Sequence, residues 1–499
     1  MSTLDTPEAQ ANTETTGLAE TKRSPGGRVR GLAARLRPSV DVLRIAAVWF
    51  AWLVVVCAFQ IVVQARLQPA RPDVVLSWTQ YATTDVNLDC RAHLNDPAYN
   101  EHVSYDSEYY ISIALNGYND PLTQAYYPGH APGQNSGIPA CQPTPGYVSL
   151  NYAFMPGYPT AMGGVIAVEN VVPGLSSQTG DAKAALAGIV VSALGGLLAM
   201  LALARLMGAL ARRKDSDSDD AETTASRGRW GGAGGLRAAL YLLVFPTGFY
   251  LAQVYTEGLF IGLAFMACAM AVEKKVVLAA VFAALAAIVR PTGLVLALPL
   301  AWMAGVMWFE TLRNNRAALR DRLSAARLVA AAIVPLVPIA VFLVWKNSIL
   351  GQNWQLVEDN FFHRTFDVNY SIDMWGKVVD SFVNGVDKTG GIFAQGALPS
   401  SSTVYIGLDL LAVVLAVAAS VWLFRKMPGV ALFGLGIIAL SFFSSSAQGM
   451  DRYILAVPAI FLMLASFGRK ITFDRVWVLA STLLMGMLVM LYTFGFWVS

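Results

Sequence analysis

The feature that most constrains this chain is a succession of apolar runs separated by short basic segments. With approximate edges the runs cover 44–65, 183–210, 237–255, 258–273, 276–289, 291–308, 328–346, 404–424, 429–447, 453–467 and 476–497, eleven in all. A helix needs about 20 apolar residues to cross a bilayer, and a spanning segment must satisfy its own backbone hydrogen bonds. The expectation is therefore an all-α polytopic membrane protein with about eleven transmembrane helices, within roughly 9–13. The composition agrees, with 55% hydrophobic and 14% charged residues and a mean hydropathy of +0.50, against roughly 25% charged in a soluble domain. The runs 276–289 and 291–308 meet at Arg290-Pro291 and read as two short spans or one broken helix. Residues 153–172 are apolar but interrupted by proline and glycine, and are expected to lie on the membrane or dip into it.

Lys and Arg orient the runs, because basic residues stay on the cytoplasmic side. With the N-terminus inside, the inner segments hold 25 basic residues and the outer ones ten, with Arg205 inside a run. This predicts a multi-pass cell-membrane protein with a cytoplasmic N-terminus and an extracytoplasmic C-terminus. The first 43 residues are polar and basic, and no small-residue cleavage site follows the first run, so no signal peptide is expected. Residues 1–43 read as a disordered basic cytoplasmic tail, and 212–236, which contain KDSDSDDAETTASRG, as a disordered cytoplasmic linker. The rest, 44–499, forms the transmembrane domain. Its long outer loops, 66–182 and 347–403, are where a polar substrate-binding surface is expected. Cys57 and Cys268 fall within apolar runs and read as packing residues. Cys90 and Cys141 share the first outer loop, where a disulfide between them is expected. The four histidines and four cysteines show no zinc-type spacing. The basic, aromatic-interleaved surface that nucleic acid needs is absent, so no nucleic-acid partner is expected.

Charge returns to the outer face at separate places in the sequence. Asp106 and Glu108 lie in the first outer loop, in YDSEYYISIALNGYND. Glu257 (VYTEGLF), Arg290 (IVRPTGL) and the pair Asp451 and Arg452 (QGMDRYI) lie at outer turns, and His363-Arg364 in the second outer loop. A charge costs about 2.5–3.5 kcal/mol at the bilayer centre on insertion scales, so such groups face partners or cavities. Carboxylates with arginines suit a base beside a phosphate clamp. No nucleotide cradle of the GxxxxGK[ST] or GxGxxG kind is present, which favours a phosphorylated membrane-borne donor over a soluble nucleotide.

These residues also carry a family resemblance. Asp106 through Tyr110 with Ile113-Ala114 and Gly117-Tyr118, then Phe154-Met155-Pro156-Gly157-Tyr158-Pro159, Tyr255 through Phe260, Arg290-Pro291-Thr292-Gly293, Asp451-Arg452-Tyr453 with Pro458, and Phe496-Trp497-Val498 resemble, in order, the motifs of the PIG-V-like mannosyltransferases. Gly258, Tyr105, Met155 and Gly157 depart from the family pattern. The resemblance implies a C-fold glycosyltransferase architecture with amphipathic helices in a large first extracytoplasmic loop. It implies inverting transfer of a mannosyl residue from a polyprenyl-phosphate sugar to a glycolipid, lipoglycan or other envelope acceptor at an extracytoplasmic active site, with membrane lipid as surroundings. In that reading Asp106 is the catalytic base, set on a short helix from Glu108 to Asn116 whose Ile111, Ala114 and Leu115 face the bilayer or the bundle. Glu108 is a supporting acid or half of a metal pair. Arg290 and Arg452 stabilise the leaving phosphate. Glu257 orients Arg290 or binds a sugar hydroxyl, and Asp451, Tyr109 and Tyr110 join the substrate site, although interfacial tyrosines are common in any membrane protein. No cofactor is expected, and a divalent metal is not favoured. The rival readings are a transporter or flippase of lipid-linked sugars and a non-catalytic assembly subunit. A transporter should carry charge near the membrane midplane, whereas the mid-span positions here read as oily, with Arg205 near a cytoplasmic end.

Overall fold

The computed structural model describes residues 39–67, 99–126, 139–140, 147–215, 230–314, 316–359, 366–384, 401–444, 449–493 and 498. Cys90, Cys141, His363, Arg364, Phe496 and Trp497 lie outside them, as do the tail before residue 39 and most of the linker. The helices in chain order are α1 (Val40–Leu67), α2 (Ser107–Asn116), α3 (Gly157–Glu169), α4 (Gly180–Asp215), α5 (Gly232–Leu243), α6 (Glu257–Val272), α7 (Val276–Val289), α8 (Ala297–Asn314), α9 (Arg322–Ile333), α10 (Leu336–Lys346), α11 (Trp354–Val357), α12 (Val368–Asn384), α13 (Ser401–Phe424), α14 (Pro428–Phe442), α15 (Met450–Tyr453), α16 (Pro458–Phe467) and α17 (Ile471–Thr493). The strands β1 (Gln124–Tyr126), β2 (Pro139–Ala140) and β3 (Tyr147–Ser149) form a small antiparallel sheet in the order β2-β1-β3, with Ala125 opposite both Pro139 and Val148.

The chain is a helical membrane protein, and each apolar run contains a helix. The helices do not confirm the expected count of eleven spans. Among the described residues five helices are long and apolar enough to cross a membrane, or up to seven if the bent pairs α9–α10 (48°) and α15–α16 (80°) each make one span. The helices α6, α7 and α14 are apolar but shorter. Proline causes much of this breakage. A residue before proline is pushed out of the helical region, and Arg290, Met427 and Val457 all precede proline with non-helical backbone angles. The run 237–255 is also interrupted, near Pro246: α5 ends at Leu243, and a 3-10 turn covers Gly248–Ala252. The segment 153–172 holds the short helix α3, consistent with a segment that does not span.

The core of the bundle is the pairing of α4 with α6. Glycine permits it, as small residues do wherever membrane helices approach closely. A Cβ on Gly195 would fall inside the backbone of Gly258, one on Gly258 inside that of Ser192, and one on Gly262 inside that of Gly195. Gly157 is similarly pressed on α7, where a Cβ would come 2.7 Å from the carbonyl oxygen of Ile288. Two of the departures from the family pattern, Gly258 and Gly157, thus have a packing cause. At the other end of α6 the chain turns at Lys274, with a φ of 55°. Arg205 grips Glu273 there with two hydrogen bonds, 2.8 and 2.6 Å, and Lys275 pairs with the same carboxylate at 2.7 Å.

Gly195→Ala should therefore destabilise the detergent-solubilised protein by roughly 1–3 kcal/mol through overpacking. Gly163→Ala, whose Cβ meets nothing within 4 Å, should leave thermal unfolding in place.

Candidate functional site

Four charged side chains from separate segments meet at one end of α6. Glu257 is the first residue of that helix, where the helix dipole favours a carboxylate, and it is 1% exposed. Arg290 donates to its Oε1 at 2.7 Å. Arg452 brings Nε to the same oxygen at 3.4 Å, an ion contact without hydrogen-bond alignment. The Nη1 of Arg452 lies 3.7 Å from Oδ2 of Asp106. Two acids and two arginines make the cluster formally neutral, which is what burial requires. Arg452 is buried, whereas the Arg290 side chain keeps 19% of its surface and Asp106 20%.

Each charge is aimed by a local backbone feature. Asp106 precedes α2, and its carboxylate makes no helix-capping hydrogen bond. The preceding Tyr105 has a φ of 48°, a left-handed conformation that a side-chain-bearing residue adopts at a cost. Ser107 holds the turn, with its Oγ accepting from the Ser104 N–H at 3.1 Å. The pre-proline extended backbone at Arg290 turns the chain from α7 into the 3-10 turn Pro291–Leu296, and Gly157 fixes the end of α7 just before it. Arg452 lies on the short α15, where the peptide groups of Asp451 are held on both sides. Its N–H donates to Oδ1 of Asp409 on α13 at 3.0 Å, and its carbonyl accepts from the Thr247 hydroxyl at 3.0 Å.

Aromatic rings wall the arginines. The Arg452 guanidinium lies 5.5 Å from the ring centre of Tyr250 and 5.3 Å from those of Tyr255 and Tyr453. Arg290 lies 5.4 Å from Tyr453 and 5.8 Å from Phe260. One ring, Tyr453, therefore serves both cations, a favourable use of its quadrupole in a desolvated site.

A second polar knot holds the site to the membrane helices. Gln60 of α1 donates to the Glu101 carbonyl at 2.7 Å and to Oε1 of Gln253 at 3.2 Å, and Gln253 returns a bond to Oε1 of Gln60 at 3.0 Å. His102 bonds the Ala252 carbonyl through Nδ1 at 3.0 Å, which puts its proton on that nitrogen. Tyr255 donates to the Ser104 carbonyl at 2.9 Å, and the Val254 N–H to that of His102 at 3.1 Å. The turn bearing Asp106 and the turn bearing Glu257 are thus laced together.

The sequence-derived candidates divide on this geometry. Asp106, Glu257, Arg290 and Arg452 come together. Asp451 is adjacent but faces Asp409 through its backbone. Glu108 is buried within the protein. Tyr109 and Tyr110 are buried, Tyr109 stacked on Phe154 at 4.8 Å and Tyr110 edge-on to Phe154 and Tyr158, each at 5.1 Å, so both pack the wall of the site. Ile111 is buried and Ala114 and Leu115 pack on the core, so this face of α2 meets the bundle. Among the described residues no group of three or more His, Cys, Asp or Glu side chains could hold a metal ion. Tyr250, Thr247 and the Gln60–Gln253 pair escaped the sequence reading, and so did Asp409. Gln60 and Asp409 both lie near the ends of their apolar helices, and an acid inside the run 404–424 was the available signal. An open cavity of about 240 Å³ lined by Ala209, Arg212, Arg213, Val272 and Glu273 lies at the opposite end of α6 and takes no part in the cluster.

No protein-family model matches the chain, and no curated protein matches it. Among solved structures it is similar to the Archaeoglobus fulgidus oligosaccharyltransferase in the apo form, with a TM-score of 0.37, 12% identity, and coverage of 90% of this chain and 56% of that one. It is also similar to the archaeal oligosaccharyltransferase AglB from Archaeoglobus fulgidus in complex with an inhibitory peptide and a dolichol-phosphate, with a TM-score of 0.38, 13% identity, and coverage of 90% and 55%. The chain spans about half the length of these two proteins.

Removing the shared carboxylate should be costly, because it leaves the buried Arg452 and its neighbour Arg290 with only Asp106 to balance them. Glu257→Gln should lose roughly 3–5 kcal/mol of stability, read as a fall in the unfolding midpoint in detergent. Acid should weaken the second knot. Burial, opposed by its bonds to Ala252 and Gln253, lowers the His102 pKa from 6.5 to about 4. The unfolded chain then takes up this proton first, so stability is lost as pH falls from about 6.5 towards 4. Neighbouring Glu101, raised by burial, acts in the opposite sense. The thermal midpoint of His102→Gln should therefore fall less between those pH values than that of the wild type.

Proposed function

We propose that the chain is an inverting membrane glycosyltransferase of the C fold that moves a mannosyl residue from a polyprenyl-phosphate sugar to a glycolipid, lipoglycan or other envelope acceptor. The observation that carries this reading is the convergence of Asp106, Glu257, Arg290 and Arg452 at one end of the helical bundle. A partly exposed carboxylate stands there beside two arginines that a buried acid holds in place. The motif resemblance supplies the sugar and the donor class.

In this mechanism Asp106 accepts the proton of the acceptor hydroxyl as its oxygen attacks the anomeric carbon. The new C–O bond forms as the bond from that carbon to the phosphate oxygen breaks. The electron pair leaves with the polyprenyl phosphate, which needs no proton. Arg290, the more exposed of the two arginines, meets the charge growing on that phosphate, and a preorganised donor of this kind supplies a large share of a rate enhancement. Arg452 positions Asp106. Glu257 keeps both guanidiniums oriented.

The test is transfer of labelled mannose from polyprenyl-phosphate mannose to a membrane lipid extract by purified protein. Wild type should turn over, and Asp106→Asn should lose about 10²-fold or more. Equal turnover by both would remove Asp106 from the chemistry. Absence of transfer by wild type with every polyprenyl-phosphate sugar supplied would overturn the enzymatic reading.

A further inference from the structure

The helix α12 has three faces, and contacts within the protein account for one of them. Ser371 and Trp375 turn inward. The Trp375 ring stacks on Phe442 at 4.8 Å and 3°, and its N–H donates to the Phe442 carbonyl at 3.1 Å. Phe442 is the last residue of α14, so this bond fastens α12 at the end of an apolar helix. Phe382 rests on Gly407 of α13, where a Cβ would meet its ring at 2.7 Å. A second face carries Asn369, Asp373, Lys377 and Asp380, with an exposed ion pair of 2.7 Å between Lys377 and Asp373. Charges in that arrangement belong in water.

The third face is the unexplained one. Val368, Ile372 and Val379 are 43%, 57% and 45% exposed. At about 100° per residue, their spacing of four and seven places them within about 40° of one another. A compact aliphatic stripe beside a charged face is the pattern of a helix lying in a membrane interface. The neighbouring surface agrees. Leu411 and Val414 of α13, a helix long and apolar enough to span, are also exposed, and at helical spacing they share the face of α13 that carries Gly407, the residue on which Phe382 of α12 rests.

We propose that α12 is an interfacial helix, with Val368, Ile372 and Val379 among the acyl chains of a phospholipid leaflet and Asp373, Lys377 and Asp380 in the headgroup water. The helix forms a shelf beside α13 and α14, at the end of the bundle where Asp409 holds the turn that bears Arg452. The occupant of the aliphatic face is lipid and not another protein.

The test does not depend on any enzymatic activity. A photoreactive p-benzoylphenylalanine is placed singly at Ile372, Val379, Asp373 or Asp380 of the full chain, and at Val414 as the lipid-facing reference. Each protein is reconstituted in phosphatidylcholine–phosphatidylglycerol vesicles, irradiated and weighed by mass spectrometry. The proposal expects phospholipid adducts at 372 and 379 in yields comparable to 414, and yields several-fold lower at 373 and 380. Adducts at 414 without adducts at 372 and 379 would overturn it. So would equal yields at all four α12 positions, or protein–protein adducts at 372 and 379 in place of lipid.

Discussion

The structure turns on one buried carboxylate. Glu257 receives Arg290 and Arg452 on the same oxygen, and without it two guanidiniums would sit in a desolvated region with only Asp106 to answer them. Burying one acid among two bases is tolerable because the other acid completes the neutral set and aromatic faces take up part of the cationic field. The location of that carboxylate is in turn fixed by contacts that have no charge. Gly258 follows it directly and lets α6 lie on the backbone of α4. A side chain at that position would move the helix and the acid with it.

The same economy recurs around the site. Proline breaks the apolar helices where charge must be presented, so that Arg290 leaves α7 on an extended residue and α15 ends in a sharp bend before α16. Asp409 and Thr247 hold the backbone of Asp451, and Arg452 follows from it. Gln60 and Gln253 exchange hydrogen bonds across otherwise apolar packing and hold the loop that leads to Asp106. Each device satisfies backbone or amide groups that lipid could not, and each also orients a charged side chain.

Much of this was legible in the sequence, for identifiable reasons. Hydropathy is a strong signal, so the helical membrane character could be read directly, while the short helix expected at Glu108–Asn116 from the motif resemblance is present at Ser107–Asn116. Charges are costly within apolar surroundings, so Glu257 and Arg290, flanked by apolar residues, stood out together with Asp106 and Arg452. Lengths were harder. An apolar run such as 237–255 looks continuous on a hydropathy scale, while Pro246 splits it into a helix and a 3-10 turn. Long-range pairing was not legible at all. That Tyr453 faces both arginines, or that Asp409 meets the backbone of Asp451, depends on helix placement that one sequence does not encode in any short motif. The glycines at 157 and 258, which depart from the family pattern, became intelligible only when the backbone on the far side of each was visible.

The central claim is that Arg290 meets the leaving phosphate of a lipid-linked donor while Asp106, positioned by Arg452, takes the proton of the acceptor hydroxyl. The most direct measurement is a cryo-electron microscopy map of the protein in lipid nanodiscs with a polyprenyl phosphate added. The account predicts phosphate density within hydrogen-bond distance of Arg290, with the lipid chain running along the membrane surface of the bundle. Phosphate density at the opposite end of α6, near Arg212 and Arg213, with none at Arg290, would contradict it.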